Sequence, residues 1–383
     1  MDEGSIGRRR VCVITGSRAD YGYIGPLMNA IRESDKLELV PVATGMHLMA
    51  RFGRTIEDVK ADTGDVIEVP MEYRGDADTD MAHYLSCGIK NFADFFSQDK
   101  PDIVIVLGDR LEPLSASLAC MCLNIPLAHM NGGDVTGTVI DESIRHSITK
   151  IAHLHFVFNR DNAERVGRMG EDPWRIHIVG STSLEGLSSS AAPKKDALFS
   201  RYGLDPSKET ILVVQHPLTT LKDRGVGQLR RIIQALEVVG KQNVFIYPNC
   251  DAGSQEMIDM LSERMPKNTR VLRNLVHADF LGLMKGADLM VGNSSAGLLE
   301  APFLGTPVVN VGSRQEGRAR SADIVDVEPE SEKIVEAILK GLSAKDTATQ
   351  VPDPGEGRAS AKIVSVLESV TLDERLIQKQ ISY

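Results

Sequence analysis

Short runs of β-branched and aliphatic residues alternate with helix-length amphipathic stretches along most of this chain, and that alternation constrains the fold more than any other feature. In the first half "VCVIT", "LVPVAT", "DIVIVLG", "PLAHM", "LHFVF" and "IHIVG" read as strands, and in the second "TILVVQ", "VFIYPN", "DLMVGN" and "PVVNVG" do. Strands separated by helices pair in parallel through crossovers, which buries both faces of the sheet and makes each strand apolar almost throughout. The expected fold class is therefore α/β, with two Rossmann-like, doubly wound domains. A Ser/Ala/Pro-rich passage from Leu184 to Asp196, "LEGLSSSAAPKKD", reads as the connector. A second polar passage, Ser343 to Arg358, precedes a final helical pattern, "ASAKIVSVLESVTLDERLIQKQI". The expected boundaries are 1–183, 184–358 and 359–383.

With 383 residues, 42% of them hydrophobic and 25% charged, the chain is long enough for two cores. A net charge of -10 argues against nucleic-acid or anionic-membrane partners, since neither polyanion gains from an acidic surface. No apolar run approaches the roughly 20 residues of a membrane span, and the start lacks the apolar region of a secretory signal. Five scattered cysteines, Cys12, Cys87, Cys120, Cys122 and Cys250, read as reduced core thiols of a cytoplasmic protein.

Polar residues gather where the strands end. "VITGSRADY" puts Arg18 and Asp20 after a strand, "VLGDRLE" puts Asp109, Arg110 and Glu112 there, and "VVQHP" puts His216 there. "YPNCDAGS" adds Asn249, Asp251 and Ser254, and "VGNSSAG" adds Ser294 and Ser295. Ligands of open α/β sheets bind outside the carboxyl ends of the strands, so these groups are expected in one cleft. Any one alone would pass as a helix cap or turn residue. "VGNSSAGLLE" also reads as a strand running into a helix N-terminus fit for phosphate, with Glu300 near the helix start to receive ribose hydroxyls. Arg314, Arg318 and Arg320 follow another strand and suit phosphate charge. Neither a P-loop nor a G-x-G-x-x-G fingerprint is present, which argues against ATPase and nicotinamide chemistry.

"HMNGGDVTGTVIDESIRH", His129 to His146, concentrates ionisable groups behind paired glycines. Ile140, Ile144, Ile148 and Ile151 make one helical stripe, with Glu142, Arg145, His146 and Thr149 on the opposite side. The glycines would let backbone approach a ligand closely, which favours Arg145 and His146 as site residues over surface charges.

These stretches, with "GMHLMARFGRT", "QHPLTT", "GNSSAGLLEAP" and "GTPVVNVGSRQEGR", resemble the hydrolysing UDP-N-acetylglucosamine 2-epimerases over essentially the whole length. The resemblance implies a GT-B fold with the nucleotide sugar between the domains and the terminal helix returning to the first. It implies no metal and no cofactor. In that family the C2 proton is removed and the nucleoside diphosphate leaves C1, giving a 2-acetamidoglucal; water then adds with inverted C2 and releases N-acetylmannosamine for sialic-acid synthesis. Carried over by motif, Asp109 is a catalytic carboxylate and His216 contacts the diphosphate. Arg18, Ser294, Ser295, Glu300 and Arg314 bind nucleotide, while Arg110, His129, Asp141, Arg145 and His146 line the sugar. A homodimer or homotetramer is expected on the same basis.

Two positions depart from the pattern. Many relatives have glutamate where this chain has Asn131, and asparagine cannot act as a base, so either Asp134 or Glu142 takes that proton step, or position 131 only orients substrate. Tyr23 stands where relatives often have lysine. A related 2,4-diacetamido sugar or a GDP-linked sugar remains open as substrate. Three activities also remain open: a hydrolysing 2-epimerase, a non-hydrolysing epimerase or GT-B glycosyltransferase, and a sugar-nucleotide-binding regulator without turnover.

Overall fold

The computed structural model describes residues 7–382 apart from 76, 138, 184, 186–193, 264, 319 and 345–357. Most of the Leu184–Asp196 connector and of the Ser343–Arg358 passage lies outside the described residues; Lys195 and Asp196 open a helix, Lys195–Arg201.

Seven parallel strands, β1 (Arg9–Thr15), β2 (Leu37–Thr44), β3 (Ile67–Val69), β4 (Ile103–Leu107), β5 (Leu127–Met130), β6 (Leu154–Val157) and β7 (Ile176–Ile178), form the first sheet in the order 3-2-1-4-5-6-7. Six more, β8 (Thr210–Val214), β9 (Gln242–Ile246), β10 (Thr269–Leu272), β11 (Leu289–Gly292), β12 (Val308–Val311) and β13 (Ile324–Val327), form the second in the order 10-9-8-11-12-13. Both orders reverse direction beside the first strand of the half, β1 or β8, which opens a crevice at the strands' carboxyl ends. Each strand expected from sequence is present. The unexpected ones, β3, β10 and β13, are all edge strands, short and half exposed. Such strands lack the continuous apolar run that marks a central strand.

Helix Arg18–Glu33 shows how local sequence sets the frame. Ser17 caps it, its hydroxyl accepting the Asp20 amide at 3.2 Å. Ile24, Leu27, Met28 and Ile31, spaced for one face, pack into the first core. The same core receives Ala359, Ile363 and Leu367 from helix Ala359–Ser369, and Leu376 from a short helix, Glu374–Ile377. The final helical pattern is thus two helices interrupted between Ser369 and Glu374. Burying each of the Ile and Leu side chains among these contributes about 1.5–3 kcal/mol, enough to hold the returning segment on the first sheet.

At Gly292, the last residue of β11, φ is +133°, and a Cβ there would stand 2.1 Å from the Val214 carbonyl oxygen of β8. Only glycine lets the two central strands close at the cleft floor. No helix among the described residues is long and apolar enough to cross a membrane.

Candidate active site

The carboxyl ends of both sheets face one cavity of about 280 Å³. Its walls include Arg18 and Asp20 after β1, Asp109 and Arg110 after β4, and Asn131 and Asp134 after β5. Helix Ile140–Ile151 adds Asp141 and Arg145. From the second sheet come His216 after β8, Asn249 after β9, Ser294, Ser295 and Glu300 after β11, and Arg314 and Arg318 after β12.

Arg145 organises the first-sheet side. Its guanidinium is 1% exposed, against the expectation that it lies on a polar helix face; Thr149 is buried as well, so the helix is embedded on two sides. Arg145 donates to Asp109, to Glu142 at 2.6 Å, to the Thr136 hydroxyl at 3.1 Å and to the Asp134 carbonyl at 3.3 Å. Burial disfavours charge on Asp109, but Arg145, Arg318 and Arg314 outweigh it and hold the carboxyl below its ordinary range. Asp109 is therefore an anion at neutral pH.

Four expected site residues stand outside the cleft lining. Glu142 accepts from the Thr136 amide at 2.7 Å, from Arg145 and from His146 Nε2 at 2.9 Å, and these donors overcome desolvation to set its carboxyl at about 2. It holds the Thr136 turn and Arg145 in place, and it stands outside the cleft lining where a base would have to meet a ligand. His146 is engaged by Glu142 rather than by the cleft. His129, fully buried, bonds through Nε2 to the Gly108 carbonyl at 2.8 Å and through Nδ1 to the Thr149 hydroxyl at 3.2 Å. Burial lowers it to about 3, so it ties β4 and β5 to the helix as a neutral ring. Asp251 lines a small adjoining cavity, where it meets Arg110 at 3.5 Å and accepts from the Asn249 side-chain amide.

Asn131 has φ +61°. Asparagine tolerates this left-handed conformation better than most side chains, a backbone reason for its presence at the end of β5. Asp134 does line the cleft, held by Arg318 through Nε at 2.9 Å and Nη2 at 2.5 Å. Asp141 pairs with Arg314 Nη2 at 2.9 Å; burial raises its carboxyl to about 6 in spite of that partner. Asp20 is likewise pushed up to about 6 by burial.

On the second-sheet side, His216 Nδ1 accepts the Asn249 amide at 3.2 Å, which leaves the proton of the neutral ring on Nε2. Burial, Arg314 and Arg110 hold the imidazole well below its ordinary value, so His216 presents a neutral donor. Asn293 fixes the His216 main chain from both sides, accepting its amide at 2.7 Å and donating to its carbonyl at 3.0 Å. The helix expected after β11, with Glu300 near its start, is broken into two single turns, Ala296–Leu299 and Ala301–Leu304, with Glu300 at the break. The helix dipole is correspondingly small. Glu300 is 1% exposed, and burial raises its carboxyl to about 8, a rise that the nearby Tyr23 phenol offsets only in part. His277 Nε2 stands 3.7 Å from it.

Sequence reasoning missed Asn293, Asn274 and His277. Asn274 accepts from Arg18 and donates to the Phe52 carbonyl at 2.6 Å, joining the two halves. It and His277 follow β10, an unrecognised edge strand, so nothing marked their position; Asn293 was visible within "VGNSS" as the residue between strand and serines. Among the described residues no group of three or more His, Cys, Asp or Glu is placed to hold a metal ion.

Comparison with known proteins shows the family and the fold. The sequence profile of the UDP-N-acetylglucosamine 2-epimerase family matches residues 29–368. The chain is 32% identical over 377 residues to the UDP-N,N'-diacetylbacillosamine 2-epimerase (hydrolyzing) of Legionella pneumophila, covering 98% of this chain and 100% of that one. It is 34% identical to a UDP-N-acetylglucosamine 2-epimerase of Neisseria meningitidis, covering 92% and 93%. A crystal structure of the Methanocaldococcus jannaschii UDP-GlcNAc 2-epimerase in complex with UDP-GlcNAc and UDP shares the fold at TM-score 0.77 and 17% identity, over 94% of this chain and 99% of that one.

Proposed function

This chain belongs to the UDP-N-acetylglucosamine 2-epimerase family, and from that membership we propose that it is the hydrolysing kind, converting a UDP-linked 2-acetamido sugar and water into the free C2-inverted sugar and UDP. The observation that carries the reading is the facing of two groups across one cavity. Carboxylates Asp109, Asp134 and Asp141 line one wall, and His216, Arg314 and the Ser294–Ser295 turn line the other. Proton transfer at carbon needs the first set, and a departing diphosphate needs the second.

In the proposed cycle the C2 proton passes to a carboxylate as the C1–O bond to the diphosphate breaks, giving a 2-acetamidoglucal. Water then adds across the double bond, its hydroxyl to C1 and a proton to C2 from the opposite face. Asp109, charged and fixed by Arg145, supplies one proton-transfer group. The second transfer, in place of the glutamate absent at Asn131, falls to Asp134, which of the two carboxylates considered from sequence is the one that lines the cavity, with Asp141 on the same wall as a further proton acceptor at the sugar. The neutral Nε2–H of His216, with Arg314, donates to the leaving diphosphate. Glu300, protonated at neutral pH, donates to or accepts from ribose hydroxyls without adding charge beside the nucleotide.

The sugar is N-acetylglucosamine or its 2,4-diacetamido relative, the two substrates named for similar proteins, and the N-acetylmannosamine-type product feeds sialic- or legionaminic-acid synthesis. A cytoplasmic location fits five free thiols, three of them buried, and the homo-oligomer is proposed from the family resemblance alone. Proton NMR in deuterated water with each UDP sugar tests the proposal: free sugar deuterated at C2 together with UDP supports it, whereas an epimerised sugar still linked to UDP rules it out.

A further inference from the structure

We propose that Arg314 is a counter-ion used in turn by Asp141 and by the nucleotide diphosphate, so that arrival of the diphosphate frees the Asp141 carboxylate to act at the sugar. The inference rests on the 2-epimerase reading above and concerns what switches its carboxylate on.

Arg314 belongs to the turn after β12 and Asp141 to the helix after β5, so their contact spans the two halves of the molecule. Nη2 donates to Asp141 at 2.9 Å and Nη1 to the Asn293 carbonyl at 3.2 Å, while Nε has no partner although the residue is only 7% exposed. Among the described residues Arg314 is the one group hydrogen-bonded to the Asp141 carboxylate. The two loops are also clasped through the main chain, where the Gly137 amide donates to the Arg314 carbonyl at 3.0 Å. Gly137 lies so close that a Cβ would stand 2.1 Å from the Ser313 carbonyl oxygen. Four residues on, Arg318 holds Asp134 in the same way.

An anionic ligand entering this cleft therefore meets an arginine that is already engaged yet has a donor to spare. A diphosphate offers more charge and more acceptor oxygens than one carboxylate, and the planar guanidinium fork matches it. Rotation of the fork toward phosphate leaves Asp141 buried without its cation. Its carboxyl, already raised to about 6, rises further and becomes a better proton acceptor. Loss of the diphosphate restores the pair. Charge on the leaving group and basicity at the sugar are thereby linked through one side chain, and the carboxylate is quenched whenever the nucleotide is absent.

A double-mutant cycle on UDP binding, measured by calorimetry, isolates this coupling from simple repulsion between Asp141 and phosphate. Asp141→Asn removes the competitor and is expected to tighten UDP binding about tenfold, whereas in an Arg314→Met background the same change is expected to alter affinity less than about twofold. An equal gain in both backgrounds, or none in the single variant, overturns the proposal while leaving the 2-epimerase reading intact. A wild-type chain that binds no UDP overturns both. Should a variant fail to fold, a structure of the wild-type UDP complex decides: an Arg314–Asp141 separation beyond hydrogen-bond reach is expected, and a retained 2.9 Å pair overturns the exchange.

Discussion

Asp109 and Glu300 lie in the same cleft, and opposite environments give them opposite charge states. Asp109 faces Arg145 and stays ionised, so Asp109→Asn is expected to lower kcat by about 10²–10⁴ while UDP still binds, a split that kinetics and calorimetry resolve. Glu300 is buried beside the Tyr23 phenol and the His277 imidazole, with no cation to hold its charge, and stays protonated up to about pH 8. A carboxyl whose pKa is raised on folding stabilises the native state fully below its unfolded value near 4.5, and that contribution is lost as pH rises through about 8. Glu300→Gln keeps a neutral side chain of the same shape and escapes the loss, so its stability relative to wild type should increase from pH 5 to 8.5, by about 4 kcal/mol at the upper end, in urea melts. A constant difference across that range would contradict a buried neutral acid. Asp141 must be ionised to accept a proton, so kcat/KM should fall below pH about 6.

Helix Ile140–Ile151 carries Asp141 and Arg145 into the cleft, and its other end is fixed by a residue far away in sequence. Lys379 donates to the carbonyls of Lys150 at 2.5 Å and Ala152 at 2.7 Å and pairs with Glu171, itself buried and shared with Lys150 and His155. A lysine on the last carbonyls of a helix satisfies orphan acceptors and complements the dipole. Lys379→Met is expected to cost about 2–3 kcal/mol of stability and to lower kcat/KM several-fold, read from urea melts and initial rates. If stability falls with kcat/KM unchanged, the anchor serves the fold and not the helix position. The sequence marked this helix through its isoleucine stripe but put Arg145 on a polar face, since periodicity cannot tell solvent from a buried salt-bridge network.

At the scale of the whole molecule, no apolar core cluster among the described residues spans the two sheets, and polar bridges cross between them. Arg314–Asp141, Arg318–Asp134, Arg110–Asp251 and Arg18–Asn274 all cross the cleft. Ion pairs and hydrogen bonds of this kind can be exchanged for ligand contacts, whereas a packed apolar interface would have to be broken. A change in domain angle on ligand binding is thus expected, and small-angle scattering should show different profiles with and without UDP; superimposable profiles would argue for a fixed cleft.

Local pattern alone determined the parallel strands, their grouping into two halves and the placing of polar turns at the strand ends, because periodicity and turn chemistry are properties of neighbouring residues. The edge strands β3, β10 and β13 escaped it, being too short and too exposed to leave an apolar run. Tertiary structure alone decided what each polar residue does. Glu142 and His129 carry the same chemistry in sequence as Asp134 and His216, yet the former pair is spent on internal hydrogen bonds and the latter lines the cavity. Whether a carboxylate is an anion beside arginine, like Asp109, or a neutral acid buried without a cation, like Glu300, depends on groups brought near by the fold from residues distant along the chain. Charge state follows from the local dielectric and the nearest counter-ion, and neither exists until the chain has closed around the site.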